Sequence, residues 1–571
     1  MSGVKIIATV GPACDSPGVI EAMARAGISS LRINTAHIEA GYIGKICEIA
    51  RGVNRKLGMH ISVMVDLKGP ELRTGDFPGG TMKFSEGELY RLGGNGGDSV
   101  AINSPDVLET LSEGDSIVMG DGAVRFEVEA GERESVLVKA LNSGTLRDRS
   151  RVNVPGKLLS LGTLTERDRT FVAEAASEGA DFFALSFVQQ KEDVFRLNEL
   201  LLETGSSAEI VSKIETQNGL NGIRSISSVS DWVMVARGDL GVEIPLHEVA
   251  MAQKEIIREA HRFGVPTVVA TQMLESMIST ASPTRAEVSD VTNAILDNAD
   301  AVMLSGETAI GKHPVESVRY MREICDYVES SGEHLPEPSE FLGNRIAFSI
   351  ARASRDMAEE IHAGAILAFT KSGSTARMLS AVRPGHRIYA AVTDAGLARR
   401  LSLLKGVDPV IIPGELSESR TLNEAMDFLN SSGIFRLGQR IVVTSGSPYF
   451  LFGGTNDIRV ITSGSFLGRG YPAGPSLKGR VTMNTPGDGD IVLLTSLKDV
   501  KAVSGFSGII LQGRVNAGTA DALRDSGKTV LFSARFIQLP GEGDEIYIDA
   551  ETGVVLGSGK PGDQNRSSRT D

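Results

Sequence analysis

Short apolar runs that end in polar residues recur through the first half of the chain. They read KIIATVG (5–11), SSLRINTA (29–36), ISVMVDLKG (61–69), DFFALSFV (181–188), EIVSKIE (209–215), DWVMVARGD (231–239), TVVATQML (267–274) and DAVMLSGE (300–307). Helix-like stretches such as SPGVIEAMARAG separate most of them. A strand that is apolar almost throughout is covered on both faces, as in a parallel sheet. The eight runs therefore predict a (β/α)8 TIM barrel with its site at the carboxyl ends of the strands.

The connection between the third and fourth runs, about a hundred residues, is too long for a simple crossover. Within it, residues 80–150 alternate short strand patterns with turn signals, which predicts a small inserted β domain. A domain inserted at the barrel mouth can close over it as a lid. We therefore expect the catalytic barrel over residues 1–75 and 157–335, and a β-barrel lid domain over 76–156.

The pattern changes again after residue 335. Strands alternating with helices over 336–467 predict an open α/β domain. The stretch GRGYPAGPS (468–476) has the composition of a linker, and short strands with one helix over 477–557 predict an extra C-terminal α/β domain. The polar tail, 558–571, is predicted to be disordered.

Composition narrows the class of protein. With 41% hydrophobic and 23% charged residues the chain is globular, and its net charge of −14 argues against nucleic acid as a partner. Cys14, Cys47 and Cys325 lie far apart without a CxxC pair, which fits a reducing cytoplasm better than a disulfide framework or a zinc site. The N-terminus has the pattern of a strand rather than a signal peptide, and no apolar run is long enough for a membrane span.

Polar side chains at the predicted strand ends form the candidate site. They are Arg32, Asn34, Asp66, Lys68, Arg73, Ser186, Lys213, Glu215, Asp239, Thr271, Ser305 and Glu307. Any one of them is most simply a solvated loop residue or half of a structural ion pair. A rim that concentrates cations together with carboxylates indicates an active site.

Glu215 and Asp239 would end adjacent strands, an arrangement that suits Mg²⁺ shared with a substrate. Lys213 lies two residues before Glu215, so both face the same side of the strand. An ammonium beside a metal can clamp a transferring phosphoryl group. A structural Lys–Glu pair is the simpler interpretation, but it leaves Asp239 unexplained.

Seven stretches in order resemble the pyruvate kinase family: KIIATVGPA, DLKGPELRTG, SKIET, MVARGDLGVEIP, ATQMLESM, SPTRAEVSDV and VMLSGETA. The resemblance covers roughly residues 1–465 and includes the predicted architecture. It implies transfer of a phosphoryl group from phosphoenolpyruvate to ADP, giving pyruvate and ATP in the last step of glycolysis. It also implies a homotetramer and regulation by a phosphorylated metabolite.

The resemblance assigns roles by position. Glu215 and Asp239 would bind Mg²⁺ or Mn²⁺, Lys213 would stabilise the phosphoryl group and enolate, and Thr271 would assist enolate protonation through water. Arg32 and Ser186 would contact substrate phosphate. The backbone of Ala236, Arg237, Gly238 and Asp239 would hold the substrate carboxylate.

Two further sites follow from the same resemblance. Arg73, Asp121, and Arg149 or Arg151 would bind the nucleotide. The loops TKSGST, namely Thr370, Lys371, Ser372, Gly373, Ser374 and Thr375, and FGGTN, with Gly454, resemble effector-binding loops. Ordinary turns are the alternative interpretation of both loops.

The potassium signals conflict. Asn34, Asp66 and the Leu67 carbonyl match family ligands of K⁺, and Glu71 is the residue type that accompanies potassium dependence. Ala36, however, stands where the family usually has a serine ligand. We expect K⁺ to be used but bound weakly or in an altered way.

The last domain resembles the swivelling phosphohistidine domain of phosphoenolpyruvate-using enzymes, through GDIVLLTSLKD, SGIILQG and DEIYIDAETGVVLGSG. VNAGTADAL stands where the histidine motif would fall, and no histidine follows His386. A phosphohistidine relay is thus excluded, and a structural or assembly role is favoured.

Two other functions remain open from the residues alone. A metal-dependent 2-oxo acid aldolase or lyase on the same barrel would also use two carboxylates and a cation, but needs neither lid nor nucleotide groups. A non-catalytic sensor of phosphometabolites predicts substituted metal ligands, whereas Glu215, Asp239 and Lys213 are all present.

Overall fold

The computed structural model describes residues 3–93, 99–132, 135–159, 161–332, 340–413, 426, 428–446, 455–482, 490–494, 497, 503–513 and 515–558. The chain forms two compact units. The first takes the chain as far as Phe348, together with Ser380–Arg383 and Asp394–Pro409, and the second takes the remainder.

The secondary structure before residue 331 is that of a barrel with an insertion. The strands are β1 (Lys5–Val10), β2 (Ser30–Asn34), β3 (Ser62–Leu67), β4 (Thr81–Phe84), β5 (Leu89–Gly93), β6 (Ser99–Val100), β7 (Ser116–Met119), β8 (Val124–Glu132), β9 (Ser135–Ala140), β10 (Gly144–Arg147), β11 (Val152–Asn153), β12 (Phe182–Leu185), β13 (Glu209–Ile214), β14 (Trp232–Ala236), β15 (Thr267–Ala270) and β16 (Ala301–Leu304). The helices are α1 (Pro17–Ala26), α2 (Tyr42–Leu57), α3 (Glu166–Ser177), α4 (Lys191–Glu203), α5 (Gln217–Asn221), α6 (Ile223–Ser227), α7 (Arg237–Glu243), α8 (Val249–His261), α9 (Arg285–Leu296), α10 (Gly306–Ala309) and α11 (Pro314–Ser330).

The predicted eight-stranded barrel is confirmed. Its strands close in the order β1-β16-β15-β14-β13-β12-β3-β2. The ring closes where Lys5 of β1 pairs in parallel with Ala301 of β16. Every residue of β1, β3, β12, β14, β15 and β16 is buried, because each strand has side chains in the barrel on one face and helices on the other.

Local sequence fixes where several of the covering helices begin and end. Thr165 and Thr284 cap α3 and α9, and each is part of a reciprocal capping box, with Asp168 and Glu287 respectively. Gly27 ends α1 at φ 115°, a backbone conformation that costs a glycine little. These signals therefore define where the helices that cover the barrel begin and end.

Strands β4–β11 lie between β3 and α3 and form their own β structure. A six-stranded sheet has the order β11-β7-β8-β9-β5-β6, beside a two-stranded sheet of β10 and β4. Their apolar faces enclose a separate core, in which the rings of Phe84 and Phe126 pack edge to face with centroids 5.3 Å apart. The insertion thus has a hydrophobic core separate from that of the barrel.

The chain after residue 340 forms two further sheets. Its strands are β17 (Ala365–Phe369), β18 (Ile388–Val392), β19 (Val407–Ile411), β20 (Arg440–Ser445), β21 (Asp457–Thr462), β22 (Ser465–Ala473), β23 (Leu477–Arg480), β24 (Ile491–Leu494), β25 (Gly508–Leu511), β26 (Thr529–Phe536), β27 (Glu545–Asp549) and β28 (Val554–Gly557). Its helices are α12 (Arg345–Glu360), α13 (Ser374–Ala381), α14 (Ala395–Leu401) and α15 (Ala517–Arg524). One sheet has the order β19-β18-β17-β20-β21 and the other β23-β27-β28-β22-β26-β25-β24. None of the helices found in the described ranges has both the length and the apolar composition of a membrane span.

The prediction that 468–476 is a linker is wrong. Most of this stretch belongs to β22, which pairs with both β26 and β28 in the interior of the last sheet. Its glycines allow the neighbouring backbone to approach closely. A Cβ on Gly470 would lie 2.7 Å from the Phe532 carbonyl oxygen, and one on Gly468 would lie 2.5 Å from the Arg535 carbonyl oxygen. The register shifts on both sides of β22 are the irregularities that such glycines permit.

This pairing predicts a difference between two truncations. A chain ending at Gly464 removes the last sheet whole, whereas a chain ending at Ser476 keeps β22 without either partner strand. We expect the longer chain to aggregate more and the shorter one to stay monodisperse, because a strand with two open edges recruits other strands. Size-exclusion chromatography and thermal melting at matched concentration would measure this, and equal behaviour of the two chains would contradict the pairing.

Candidate active site

The predicted polar side chains converge at the carboxyl ends of the barrel strands. Arg32 lies in β2, Asp66 in β3 and Lys213 in β13, while Ser186 follows β12 and Thr271 follows β15. Parallel pairing holds these ends level, since Leu67 is opposite Leu185 and Leu185 is opposite Ser212.

Lys213 is the centre of a buried ionic cluster. Its Nζ lies 2.9 Å from Glu215 Oε1 and 3.2 Å from Asp66 Oδ1, and it donates a 2.7 Å hydrogen bond to Ser186 Oγ. Arg32 Nε donates to the other oxygen of Asp66 at 2.7 Å. The side chains of Lys213, Asp66 and Glu215 are only 10%, 3% and 1% exposed. Four strands thus contribute to one cluster of opposite charges with little access to water.

Mutual attraction sets the protonation of this cluster. Burial alone would raise the pKa of Asp66, but Arg32 and Lys213 lower it below its usual value. Burial likewise opposes the charge on Lys213, yet Asp66 and Glu215 raise its pKa. The pKa of Glu215 is raised, because burial and the neighbouring charge of Asp239 outweigh Lys213. Lys213 therefore stays a full cation, and Glu215 is the carboxylate of this cluster that most needs a further positive partner.

Backbone groups complete the surroundings of the cluster. Ser186 Oγ donates to the Leu67 carbonyl at 2.7 Å while it accepts from Lys213, so the hydroxyl fixes the ammonium in place. The N–H of Phe187, a residue at φ 55°, donates to Glu215 Oε2 at 2.8 Å. This left-handed turn aims an amide at the carboxylate, a contact that no side-chain pattern in the sequence indicates.

Thr271 is held in an unusual backbone conformation beside α7. Thr271 and Gln272 have φ values of 68° and 55°, rare for residues with a Cβ. Thr271 Oγ1 accepts a 2.9 Å hydrogen bond from the Gly238 N–H. The buried Arg237 side chain donates to the Thr271 carbonyl at 2.6 Å and to Asp290 at 2.7 Å. The Arg237 guanidinium therefore supports the Thr271 loop, and only its backbone lies at the barrel mouth.

Glu71 connects the barrel end to the insertion. Lys68 Nζ, Arg73 Nη2 and Arg151 Nη2 lie 3.0, 2.6 and 2.8 Å from its carboxylate. Burial would raise the pKa of Glu71, but these three cations lower it. Arg151 also forms a short ion pair with Asp239, so one guanidinium bridges two carboxylates.

Glu215 and Asp239 are the two carboxylates that the sequence predicts to share a divalent cation. They follow β13 and β14, which pair with Ile214 opposite Val235, and the charge of Asp239 reaches Glu215. Across the described residues, no three or more His, Cys, Asp and Glu side chains gather into a complete metal site. Two carboxylates are the kind of protein ligand that Mg²⁺ takes when it keeps several waters and shares its remaining positions with a substrate.

Three of the four positions that the family uses to bind K⁺ present an oxygen atom in this chain. Asn34 Oδ1 accepts from the Ala36 N–H at 3.1 Å, and the Leu67 carbonyl accepts from Ser186. Asp66, with its lowered pKa, provides a carboxylate that remains charged. Ala36 provides no side-chain oxygen, so the predicted set has three ligating groups from the chain.

Three of the nucleotide candidates line an open cavity of about 390 Å³ on the insertion. Its lining includes Arg73, Asp121, Arg147 and Arg151. Arg149 is instead exposed and pairs with Asp76 at 3.0 Å, although its carbonyl accepts from Arg73 at 2.7 Å. Of the two arginines proposed as alternatives, the structure places Arg151 at the cavity.

The effector candidates form a compact turn between β17 and α13. Thr370 Oγ1 accepts from the Gly373 N–H at 2.9 Å, with Gly373 at φ 87°. Thr375 is buried and shares a 2.9 Å hydrogen bond with Thr455 of the second predicted loop. Ser372 donates to Ser374 at 3.2 Å. Lys371 lies in the same turn, and Gly454 lies outside the described residues.

Several contacts at the barrel mouth were not indicated by any motif. Thr9 Oγ1 accepts from Arg32 Nη1 at 3.0 Å. Asn153 Nδ2 donates to the buried Glu243 at 2.8 Å, joining β11 to the end of α7. The only signal for these residues is their position next to strand ends and to the VNVPG stretch.

Comparisons with known proteins agree on one family. Residues 1–318 match the family described as "Pyruvate kinase, barrel domain", and residues 349–461 match "Pyruvate kinase, alpha/beta domain". A pyruvate kinase of Thermoplasma acidophilum is 47% identical, over 97% of this chain and 98% of its own. Pyruvate kinase 2 of Synechocystis is 33% identical, over 98% of both chains. A crystal structure of a pyruvate kinase from Cryptosporidium parvum superposes with a TM-score of 0.73 at 30% identity, covering 81% of this chain and 96% of that one.

The ionic cluster predicts the effect of Asp66→Asn. Removing the carboxylate leaves Arg32 and Lys213 buried with less negative charge, which should lower the free energy of unfolding by about 3–5 kcal/mol. Because Asp66 has a lowered pKa, its contribution is complete above pH 3.8 and is lost as the pH falls through the folded value. Urea unfolding from pH 7 to pH 3 should show the difference from wild type shrinking at acid pH. Asp76→Asn, at an exposed pair, is the control, and a loss of the same size there would contradict this account.

Proposed function

The chain belongs to the pyruvate kinase family, and on that premise we propose that it transfers the phosphoryl group of phosphoenolpyruvate to ADP. The P–O bond to the enol oxygen breaks, a bond to the terminal phosphate oxygen of ADP forms, and protonation of the enolate yields pyruvate. The observation that carries this proposal is the Lys213 cluster, a fixed cation beside Glu215 in a site poor in water. Phosphoryl transfer is catalysed mainly by positioning and charge stabilisation, which such a cluster provides.

Glu215 and Asp239 would hold the divalent cation, Mg²⁺ or Mn²⁺. When bound, that cation would neutralise charge on the phosphoryl group and substrate. The raised pKa of Glu215 supports this assignment, because a carboxylate that is short of positive partners gains most from a cation.

Lys213 would stabilise negative charge on the transferring group and on the enolate. Its ammonium is fixed by Ser186 and two carboxylates, so little reorganisation is needed when charge develops. Arg32, anchored on Asp66 and Thr9, would contact phosphate from the adjacent strand. Ser186 supports the ammonium and would contact the phosphoryl group.

Thr271 would assist delivery of a proton to the enolate, through water. Its strained backbone and its bond from Gly238 fix the hydroxyl next to the backbone that would hold the substrate carboxylate, from Ala236 to Asp239. Held strain at a site is a sign of preorganisation. Arg73, Asp121 and Arg151 would face the nucleotide across the cavity on the insertion, whereas Arg149 is exposed and pairs with Asp76.

The competing functions explain less. An aldolase or lyase accounts for the two carboxylates but not for a cavity lined by arginines on an inserted domain. A non-catalytic sensor would not need Lys213 buried and charged between two acids, an arrangement that is costly to maintain.

Regulation and assembly are proposed on the family premise. A phosphorylated effector would bind the turn from Thr370 to Thr375, whose serine and threonine hydroxyls and amide groups suit phosphate oxygens. A homotetramer is the expected assembly. The last sheet, related by resemblance to swivelling domains, has no histidine in its sequence and would have a structural or assembly role.

The test of catalysis is Lys213→Met in an assay of pyruvate release with and without ADP. We expect phosphoenolpyruvate binding to persist and turnover to fall by about 10²-fold or more, since charge stabilisation in the transition state is lost. Lys56→Met, at a lysine 63% exposed on α2, is the control for loss of one positive charge. Unchanged turnover would contradict the role of Lys213, and pyruvate release without ADP would favour the lyase.

Potassium use is tested by Ala36→Ser. The added hydroxyl supplies the missing ligand beside Asn34, so we expect the K⁺ concentration for half-maximal activity to fall by roughly threefold to tenfold. Titration with KCl at constant ionic strength, with a bulky monovalent cation as replacement, measures the change. Activity that is independent of K⁺ in both proteins would rule out the site.

A further inference from the structure

Arg151 links the insertion to the carboxyl end of the barrel. It precedes β11, on the segment that returns from the insertion to the barrel. One arm of its guanidinium lies 2.8 Å from Glu71, and the other pairs closely with Asp239. The Cζ atom of Arg151 lies over the Phe187 ring, 5.8 Å from the ring centroid.

Asp239 has few alternatives to this contact. Among the described residues, Arg151 is the only cation within ion-pair distance of Asp239. Glu71, by contrast, also pairs with Lys68 and Arg73. The Asp239 side chain is 28% exposed, so a cation from solvent can reach it. The positive charge next to Asp239 is therefore supplied by the insertion.

A guanidinium and a divalent cation compete for the same oxygens. A hard cation at Asp239 would lie beside the positive charge of Arg151, and like charges in a half-buried site repel strongly. Any ligand that binds only one of two arrangements shifts the protein toward it by its difference in affinity. Metal at Asp239 and Arg151 at Asp239 are thus alternative states.

Resting on the proposed function, we propose that Arg151 is a stand-in for the divalent cation, pairing with Asp239 in the metal-free protein and released when the metal binds. The release frees one of the anchors of β11 on the barrel, while Asn153 with Glu243 remains as the other. Glu71 stays paired with Lys68 and Arg73, so it can retain or release Arg151 at small electrostatic cost. Arg151 lines the nucleotide cavity, but its guanidinium is free to pair with a nucleotide phosphate only after the metal has bound, which orders the two ligands.

The experiment measures binding of Mn²⁺ alone, without phosphoenolpyruvate or nucleotide, by electron paramagnetic resonance on the full chain. Arg151→Gln should bind Mn²⁺ about fivefold more tightly than wild type, the effect of removing a competing ion pair of ordinary strength. Lys157→Gln is the matched control, because Lys157 is also a cation of the return segment but pairs with Asp115 at 2.9 Å. Its affinity should change less than about twofold.

The outcomes separate this inference from the proposed function. Asp239→Asn should weaken Mn²⁺ binding, and if it does not, the metal assignment itself is wrong. If Asp239→Asn weakens binding while Arg151→Gln leaves it unchanged or weakens it, the stand-in role is overturned and the metal site stands. Equal tightening by Arg151→Gln and Lys157→Gln would reduce the effect to net charge and also overturn it.

Amide hydrogen exchange of residues 147–154 gives a readout that does not depend on affinity. In wild type, Mg²⁺ should accelerate exchange in this segment as Arg151 leaves Asp239. In Arg151→Gln, exchange should already be fast and respond little to Mg²⁺. Slower exchange on adding Mg²⁺ to wild type would contradict release of the segment.

Discussion

The active end of the barrel depends on one buried cation. An ammonium taken out of water is unstable unless carboxylates surround it. Lys213 meets this condition through Asp66 on β3 and Glu215 at the end of β13, with Ser186 filling a third direction. The contacts that stabilise the buried lysine also fix the direction of its ammonium group. The stability of the fold and the preorganisation of the site therefore have the same cause.

The surrounding elements transmit this constraint outward. Arg32 ties β2 to Asp66, and the Phe187 amide ties the turn after β12 to Glu215. Arg237 is buried beneath the Thr271 turn and holds two successive residues in left-handed conformations. These strand ends are thus fixed by polar contacts with their neighbours.

The architecture of the chain was easier to predict from the sequence than the side-chain contacts of the site were. Apolar runs of strand length define the barrel strands because burial on both faces leaves little freedom in composition, and the two-residue spacing of Lys213 and Glu215 places both on one face. The direction of the Arg237 side chain and the bridge from Arg151 to Asp239 depend on how loops from distant parts of the chain meet. Local patterns carry no information about such encounters. The glycines of β22 give it the composition of a linker, because glycine is favoured both where backbones approach closely and where a chain is flexible.

The position of β22 has a consequence for synthesis of the protein. This strand lies between β26 and β28, which both follow it in the chain, while β23 to β25 lie elsewhere in the sheet. A ribosome that has just exposed β22 has not yet made either neighbour, so the strand must wait for roughly sixty to ninety residues of further translation. During that interval Leu467 and the adjoining backbone are open to chaperones or to a nascent chain on the next ribosome of the same message. The sheet can therefore be completed only after β28 has been made, whereas the barrel has all its strands once Leu304 has been made.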